Sequence, residues 1–313
     1  MRLYFAPLEG VTNYIFRNAH SDIFSPADKY FSPFIAPDQN HVFSPKAFKD
    51  ILPENNKVNN LVPQLLTHNS NDFVWAVNEL KKLGYKEINL NLGCPSGTVF
   101  AKGKGSGFLK HPKELDIFFE EVFSQADIPI SVKTRLGVES PDEFDELLEI
   151  YNKYPISELI IHPRVRLDYY KGDVRKETFS KAYSLSKNPV VWNGDIETPD
   201  HISEIETEFP NMQALMIGRG WVRNPALHRL VKGKAPLDKE SLRDFHDRIY
   251  NECTQAFSSR KNAMLRMKEL WWYFSEMFED SASYMKKIKK ATTPGDFDAA
   301  VDGFFRDLEL KPF

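Results

Sequence analysis

Between Asn89 and Gly107 the chain reads Asn-Leu-Asn-Leu-Gly-Cys-Pro-Ser-Gly-Thr-Val-Phe-Ala-Lys-Gly-Lys-Gly-Ser-Gly, the stretch best equipped for chemistry. The alternating run Ile88 to Leu92 predicts a strand that stops at Gly93-Cys94-Pro95, since Pro95 and Gly97 cannot extend it. The Cys94 thiol therefore lies where regular backbone ends. Beyond it, Lys102 and Lys104 alternate with Gly103, Gly105 and Gly107. Glycine at every second position suits no packed helix or strand and predicts a mobile flap over a polyanion. The competing reading is a buried structural cysteine beside a disordered turn.

The elements that must position this stretch recur along the chain. Short β-rich runs occur at Leu3–Pro7, Lys29–Ile35, Asn60–Leu66, Tyr85–Gly93, Ile128–Arg135, Glu158–Arg164, Pro189–Asp195 and Ala214–Gly220. Helical periodicity separates them: Asn71–Leu83 capped by Ser70 or Asn69, Pro112–Phe123, Pro141–Tyr151 after Ser140, and Pro199–Glu208 after Thr198. Eight β-then-α units predict an α/β fold, a (β/α)8 TIM barrel. A doubly wound open sheet is the rival, but its Gly-rich first turn is missing from Ala6-Pro7-Leu8-Glu9-Gly10.

In such a barrel the C-terminal strand ends form the active face. Collecting them brings together Gln64, Asn91, Cys94, Lys133, Arg135, His162, Arg164, Asn193-Gly194-Asp195 and Gly218-Arg219-Gly220. Backbone N–H groups at the last two glycine turns, with Arg219, suit a phosphate. Lys133 could set a cation against an electron-rich ring. Flavin mononucleotide has both a phosphate and a ring that is anionic when reduced. An aldolase-type Schiff base on Lys133 is the alternative, and it leaves Gln64, Asn91 and Cys94 without roles.

The motifs "APLEGVT", "PQLL", "NLNLGCPS", "KGKGSG", "SVKTRLG", "NGDI" and "MIGRG" resemble, in order and spacing, those of the tRNA-dihydrouridine synthases. "GCPS" alone also resembles a dihydroorotate dehydrogenase turn. Two departures stand out: His162-Pro163-Arg164-Val165 where the family usually has His-Gly-Arg-Thr, and Phe31-Ser32-Pro33-Phe34 without the usual acidic residue. The resemblance implies FMN as cofactor, NADPH as reductant, and tRNA D-loop uridines as substrate, reduced to 5,6-dihydrouridine. It implies Cys94 as proton donor, since an ordinary thiol, with a pKa of about 8.5, is protonated at neutral pH. It further implies flavin contacts from Pro7, Leu8, Glu9, Gln64, Lys133, His162, Asn193, Gly194, Asp195, Gly218 and Arg219, and uracil contacts from Asn91 and Arg135. The stretches "LRMKELW" and "TPGDF" resemble the bacterial C subgroup, which implies uridine 16 as the target, with position 20 or several neighbouring positions as the alternative.

After Pro236 the β-pattern ends and apolar residues recur at helical spacing, which divides the chain into a 1–236 barrel and a 237–313 helical domain. Cys253 at that spacing reads as core. Arg260-Lys261, Arg266, Lys268 and Lys286 to Lys290 form basic clusters among Trp271, Trp272 and Tyr273. They suit phosphates, with Arg266 and Lys268 as the named contacts; in isolation they would read as a solvated face.

Composition bounds these readings. In 313 residues, 42% hydrophobic and 27% charged, the chain is an ordinary globular protein. Its net charge of −3 offers no global attraction for nucleic acid, so an RNA site must be local. Two distant cysteines suggest no disulfide framework and favour a cytoplasmic setting. No apolar run reaches membrane-spanning length, and metal chemistry is not suggested. A free-pyrimidine dehydrogenase and a non-catalytic flavin-bound RNA-binding protein are the remaining alternatives.

Overall fold

The computed structural model describes residues 1–312. Its strands are β1 (Arg2–Phe5), β2 (Lys29–Phe31), β3 (Leu61–Val62), β4 (Gln64–Leu65), β5 (Ile88–Leu92), β6 (Ile130–Arg135), β7 (Leu159–His162), β8 (Val190–Asn193) and β9 (Ala214–Ile217). All ladders are parallel, in the order β3-β2-β1-β9-β8-β7-β6-β5-β4. Only Pro63 separates β3 from β4, so the sheet closes on itself as the expected eight-stranded barrel. Pro63 lacks the N–H needed to continue the ladder, while its carbonyl still accepts from Asn89 N at 2.9 Å.

The barrel interior is divided. Tyr4, Ala6, Phe31, Val62, Ile160, Val191, Ala214 and Met216 form one apolar cluster. Against β4, β5 and β6 the same interior carries amides, a hydroxyl and a lysine. At the N-terminal mouth, Lys29 bonds Glu87 and Glu158, both at 2.7 Å, beneath the Tyr4 and Phe31 rings. The Tyr4 hydroxyl also donates to Glu158 at 2.5 Å.

The helices follow their capping signals, with one correction. Asn69 caps Ser70–Lys82, its Oδ1 accepting from Asp72 N at 2.9 Å. Pro112–Gln125 and Pro199–Glu208 both begin at their prolines. The helix expected from Pro141 starts at Glu143 instead. The Glu143 carboxylate accepts N–H bonds from Val138, Glu139 and Ser140 at 2.7–2.8 Å, which holds residues 140–142 in a turn.

The chain forms two compact units: residues 1–7, 28–195 and 205–217, and residues 8–27, 196–204 and 218–313. These are not divided by one cut at 236, because Tyr14–Ile23 packs with Lys239–Phe257 inside the second unit. Phe16 meets Phe245 edge-on at 5.1 Å, and Arg248 pairs with Asp22 at 2.6 Å. The second unit also contains helices Arg260–Phe274, Ala282–Lys290 and Pro294–Asp307 around Trp271 and Phe304, whose rings lie 4.5 Å apart. Cys253 is core, and burial pushes its thiol up to about 11. Among the described residues no helix is long and apolar enough to cross a membrane.

Lys29→Ala should lower unfolding stability by about 3–5 kcal/mol, because two mostly buried carboxylates lose their shared cation. Urea denaturation compared with Arg2→Ala, whose side chain is half exposed, checks this.

Candidate active site

The site starts with Asn89 and Asn91, which alternate along β5 and so share its inward face. Asn89 Nδ2 donates to Ser131 Oγ at 2.9 Å, and Gln64 Nε2 donates to Asn89 Oδ1 at 2.7 Å. Asn91 Nδ2 in turn donates to Gln64 Oε1 at 2.7 Å. Asn91 Oδ1 then accepts the backbone N–H groups of Gly93 and Cys94 at 3.0 and 2.9 Å. A buried chain of side-chain amides thus ends on the backbone that presents the half-buried Cys94. Asn91 is more a holder of this turn than a free hand, with one amide N–H remaining.

The glycine loop differs from expectation. Gly105–Lys110 is a short 3-10 helix with Gly105, Ser106 and Gly107 buried, not an unpacked flap. Ser106 donates to the Cys94 carbonyl from both N (3.2 Å) and Oγ (2.7 Å). Gly105 has φ +58, and a Cβ there would sit 3.0 Å from Cys94 Cβ. Its glycine therefore serves close approach as well as backbone conformation.

Lys133 pairs in register with Asn91, which puts both on one face of the sheet. Among the described residues its ammonium has no ion pair or hydrogen bond, and burial, then the nearby Arg135, pushes its pKa down to about 7, with Cys94 acting in the opposite sense. Arg135 is 1% exposed and donates to the carbonyls of Gly93, Val165 and Tyr169 at 2.9, 3.0 and 2.7 Å. Three of its five N–H groups are thereby committed to tying the Cys94 turn to the loop after β7. Arg166 stacks on Phe100 at 3.7 Å and joins the same two loops.

His162 ends β7. Arg164 Nη1 meets its Nε2 at 3.1 Å, and the same guanidinium forms a two-point pair with Asp195. The proline departure at 163 leaves this contact intact. Asn193 donates to Met216 O at 2.8 Å, while the Asp195 carboxylate is engaged by Arg164. Tyr170 was not anticipated: it is 47% exposed, stacks on the His162 imidazole at 6.2 Å and interacts with Arg135. The adjacent Tyr169-Tyr170 pair in the loop after β7 was the available signal. Asn89 was legible from its spacing to Asn91.

Pro7 follows β1 in the first unit; Leu8, Glu9, Gly218 and Arg219 belong to the second. Leu8 N bonds Thr12 Oγ1 at 2.9 Å, Glu9 is exposed, and Gly218 caps the short helix Arg219–Arg223. Also in the second unit, Arg266 donates to the carbonyls of Gly10 and Val11, the latter at 2.6 Å. Lys268 donates to the carbonyls of Lys289 and Ala291, at the end of Ala282–Lys290. Both expected RNA contacts are thus internal braces. The exposed basic face is Lys286, Lys287, Lys289 and Lys290, on a helix whose Met285 and Ile288 are buried. Lys289 lies 4.8 Å over the exposed Trp272 ring. Trp272, Tyr273, Lys268, Glu269 and residues 9–11 line an open groove of about 610 Å³.

The family profile described as "Dihydrouridine synthase (Dus)" matches residues 4–309. A Staphylococcus aureus protein named "Probable tRNA-dihydrouridine synthase" is 32% identical over 229 residues, 70% of this chain and 68% of that one. A "tRNA-dihydrouridine synthase B" of Shewanella oneidensis is 26% identical over 230 residues, 71% and 70% of the two chains. One of Pasteurella multocida is 23% identical over 312 residues, 97% and 92% of the two chains. The barrel is similar in fold to an old yellow enzyme homologue from Zymomonas mobilis, with TM-score 0.54 and 15% identity over 78% of this chain and 92% of that one.

The Lys133 environment sets a pH dependence. Its folded-state pKa lies below the unfolded value of about 10.5, so the unfolded chain binds more protons between them and stability rises with pH. The ligand-free protein should gain stability from pH 7 to 9 relative to Lys133→Met. Parallel denaturation curves with no pH-dependent difference would remove the assigned burial of the charge.

Proposed function

The chain belongs to the dihydrouridine synthase family, and from that premise we propose that it uses FMN and NADPH to reduce a D-loop uridine of tRNA to 5,6-dihydrouridine. The observation that carries the reading is an unpaired Lys133 ammonium on the same inward face as the Gln64–Asn91–Cys94 chain. A Schiff-base enzyme would use the lysine but not that chain.

The donor set fits a flavin. After its bonds to Asn89 and Asn91, Gln64 retains one N–H and one acceptor lone pair, complementary to an imide edge with its C=O and N–H. Lys133 supplies the cation for a ring that carries negative charge when reduced, and such an anion would raise its pKa again. His162 and Asn193 adjoin from β7 and β8, and Gly218-Arg219 directly follow β9 in the chain as candidates for the phosphate. When bound, FMN reduced by NADPH supplies hydride to uracil C6.

The protein supplies the proton and the orientation. Conjugation with the C4 carbonyl makes C6 the hydride acceptor and C5 the site that takes a proton. Cys94 Sγ is the donor, presented by the Asn91-held turn. The remaining Asn91 N–H meets the base, Tyr170 offers a ring face, and Arg135 keeps the two flanking loops in register. Phosphates of the tRNA meet the exposed lysines of Ala282–Lys290, and unstacking of the target base is offset by pocket contacts. The stretches that resemble the C subgroup favour uridine 16 as the target, with position 20 or several neighbouring positions as the alternative.

The deciding experiment is to purify the protein, denature it and identify the flavin released, then follow flavin oxidation on adding tRNA lacking dihydrouridine. FMN release and tRNA-dependent oxidation are expected; absence of flavin with failed FMN reconstitution rejects the reading. Cys94→Ala should keep FMN and its reduction by NADPH but slow tRNA reduction by about 10²–10⁴-fold. Mapping dihydrouridine after adding the protein to unmodified tRNA tests position 16.

Lys286, Lys287 and Lys290 changed together to Ala should weaken tRNA binding and flatten its dependence on salt, by roughly 0.7–0.9 in log–log slope per lost phosphate contact. Arg266→Ala should leave that slope unchanged, since its guanidinium holds residues 10 and 11. Titrations at several salt concentrations separate the two outcomes.

A further inference from the structure

We infer that Arg164, clamped by Asp195, is a positioning residue that locks His162 as the neutral tautomer with its proton on Nδ1. A guanidinium has N–H donors and no acceptor, so an imidazole nitrogen that bonds it must offer a lone pair. The Arg164 Nη1 to His162 Nε2 distance of 3.1 Å therefore identifies Nε2 as the bare nitrogen.

The guanidinium is well fixed. Arg164 is 2% exposed, and its Nη1 donates to Asp195 Oδ1 at 2.9 Å while Nη2 reaches Asp195 Oδ2 and the Gly172 carbonyl. Its Nε donates to the Lys171 carbonyl at 3.3 Å. The turn after β8 completes the clamp: Gly194 has φ +156, and a Cβ there would stand 3.1 Å from His162 Cδ2. Asp195 itself has φ +48, which puts the carboxylate-bearing residue in the left-handed region. The Nε2–Cδ2 edge of the imidazole is thus walled by Arg164 and Gly194, and one ring face by Tyr170.

Two consequences follow for the site. His162 presents its Nδ1–H as a fixed hydrogen-bond donor, never as an acceptor and, beside the Arg164 cation, not as a second positive charge. Positive charge at a reduced ring is then left to Lys133, and proton delivery to Cys94, because a neutral imidazole is a very weak acid. The Asn-Gly-Asp turn, read from the sequence as part of a phosphate cup, acquires a different task in shaping His162. The use of the N–H toward a flavin rests on the function proposed above; the tautomer itself does not.

The test is long-range ¹H–¹⁵N correlation on ligand-free protein labelled at the histidine imidazoles, with the His162 signals identified by their loss in His162→Gln. A bare Nε2 and protonated Nδ1 at neutral pH are expected. Protonation at Nε2, or a doubly protonated ring, overturns the inference whether or not the protein binds flavin. Arg164→Lys should retain the tautomer, and Arg164→Met should shift the proton toward Nε2. An unchanged spectrum in Arg164→Met removes Arg164 from the role. Should that variant fail to fold, the wild-type and Arg164→Lys spectra decide. Flavin content, measured separately, keeps a failure of the proposed function distinguishable from a failure of this assignment.

Discussion

The carboxamide of Asn91 is the interaction on which the active face depends. A strand that ends at Gly93-Cys94-Pro95 leaves backbone N–H groups with no ladder to join, and unpaired buried donors are costly. Asn91 Oδ1 accepts two of them, and the same side chain is held by Gln64, Asn89 and Ser131 in succession. Each amide in that chain orients its neighbour, so the position of the Cys94 turn is specified from inside the barrel. Arg135 performs the complementary task from the loop side by gathering three carbonyls from two loops. A thiol on an irregular turn is thereby as well located as a residue within a strand.

This arrangement explains the uneven filling of the barrel. β1, β2, β3, β7, β8 and β9 contribute the apolar cluster, whereas β4, β5 and β6 contribute polar side chains that satisfy one another. Lys133 stands out because, among the described residues, it has no ion pair or hydrogen bond. A buried-facing cation without a partner is unfavourable, and its pKa falls. At the opposite mouth Lys29 has two carboxylates, so the two inward lysines differ in that only Lys29 has anionic partners among the described residues.

The second compact unit shows why basic residues cannot be assigned to RNA by composition. Arg266 and Lys268 occupy the helix Arg260–Phe274 among aromatic residues, yet both are spent on backbone carbonyls. The lysines of Ala282–Lys290 are different because Met285 and Ile288 take the buried positions and turn the charged ones outward. Helical periodicity distinguishes these two cases only once the buried face of each helix is known.

Much was determined by local sequence. Alternation and turn chemistry located all the barrel strands, Asn69, Pro112 and Pro199 set the starts of three helices, and Cys253 was core by its spacing. The motifs from Pro7 to Arg219 identified the family because their order along the chain reflects successive strand ends of one barrel. Tertiary structure decided what each polar side chain does. The sequence could not show that Asn91 and Arg135 bond backbone, that Gly105 is packed against Cys94, or that Arg164 meets both His162 and Asp195. Those partners are separated by up to dozens of residues along the chain, and a hydrogen bond depends on distance and direction, which residue type and spacing specify only within a single strand or helix.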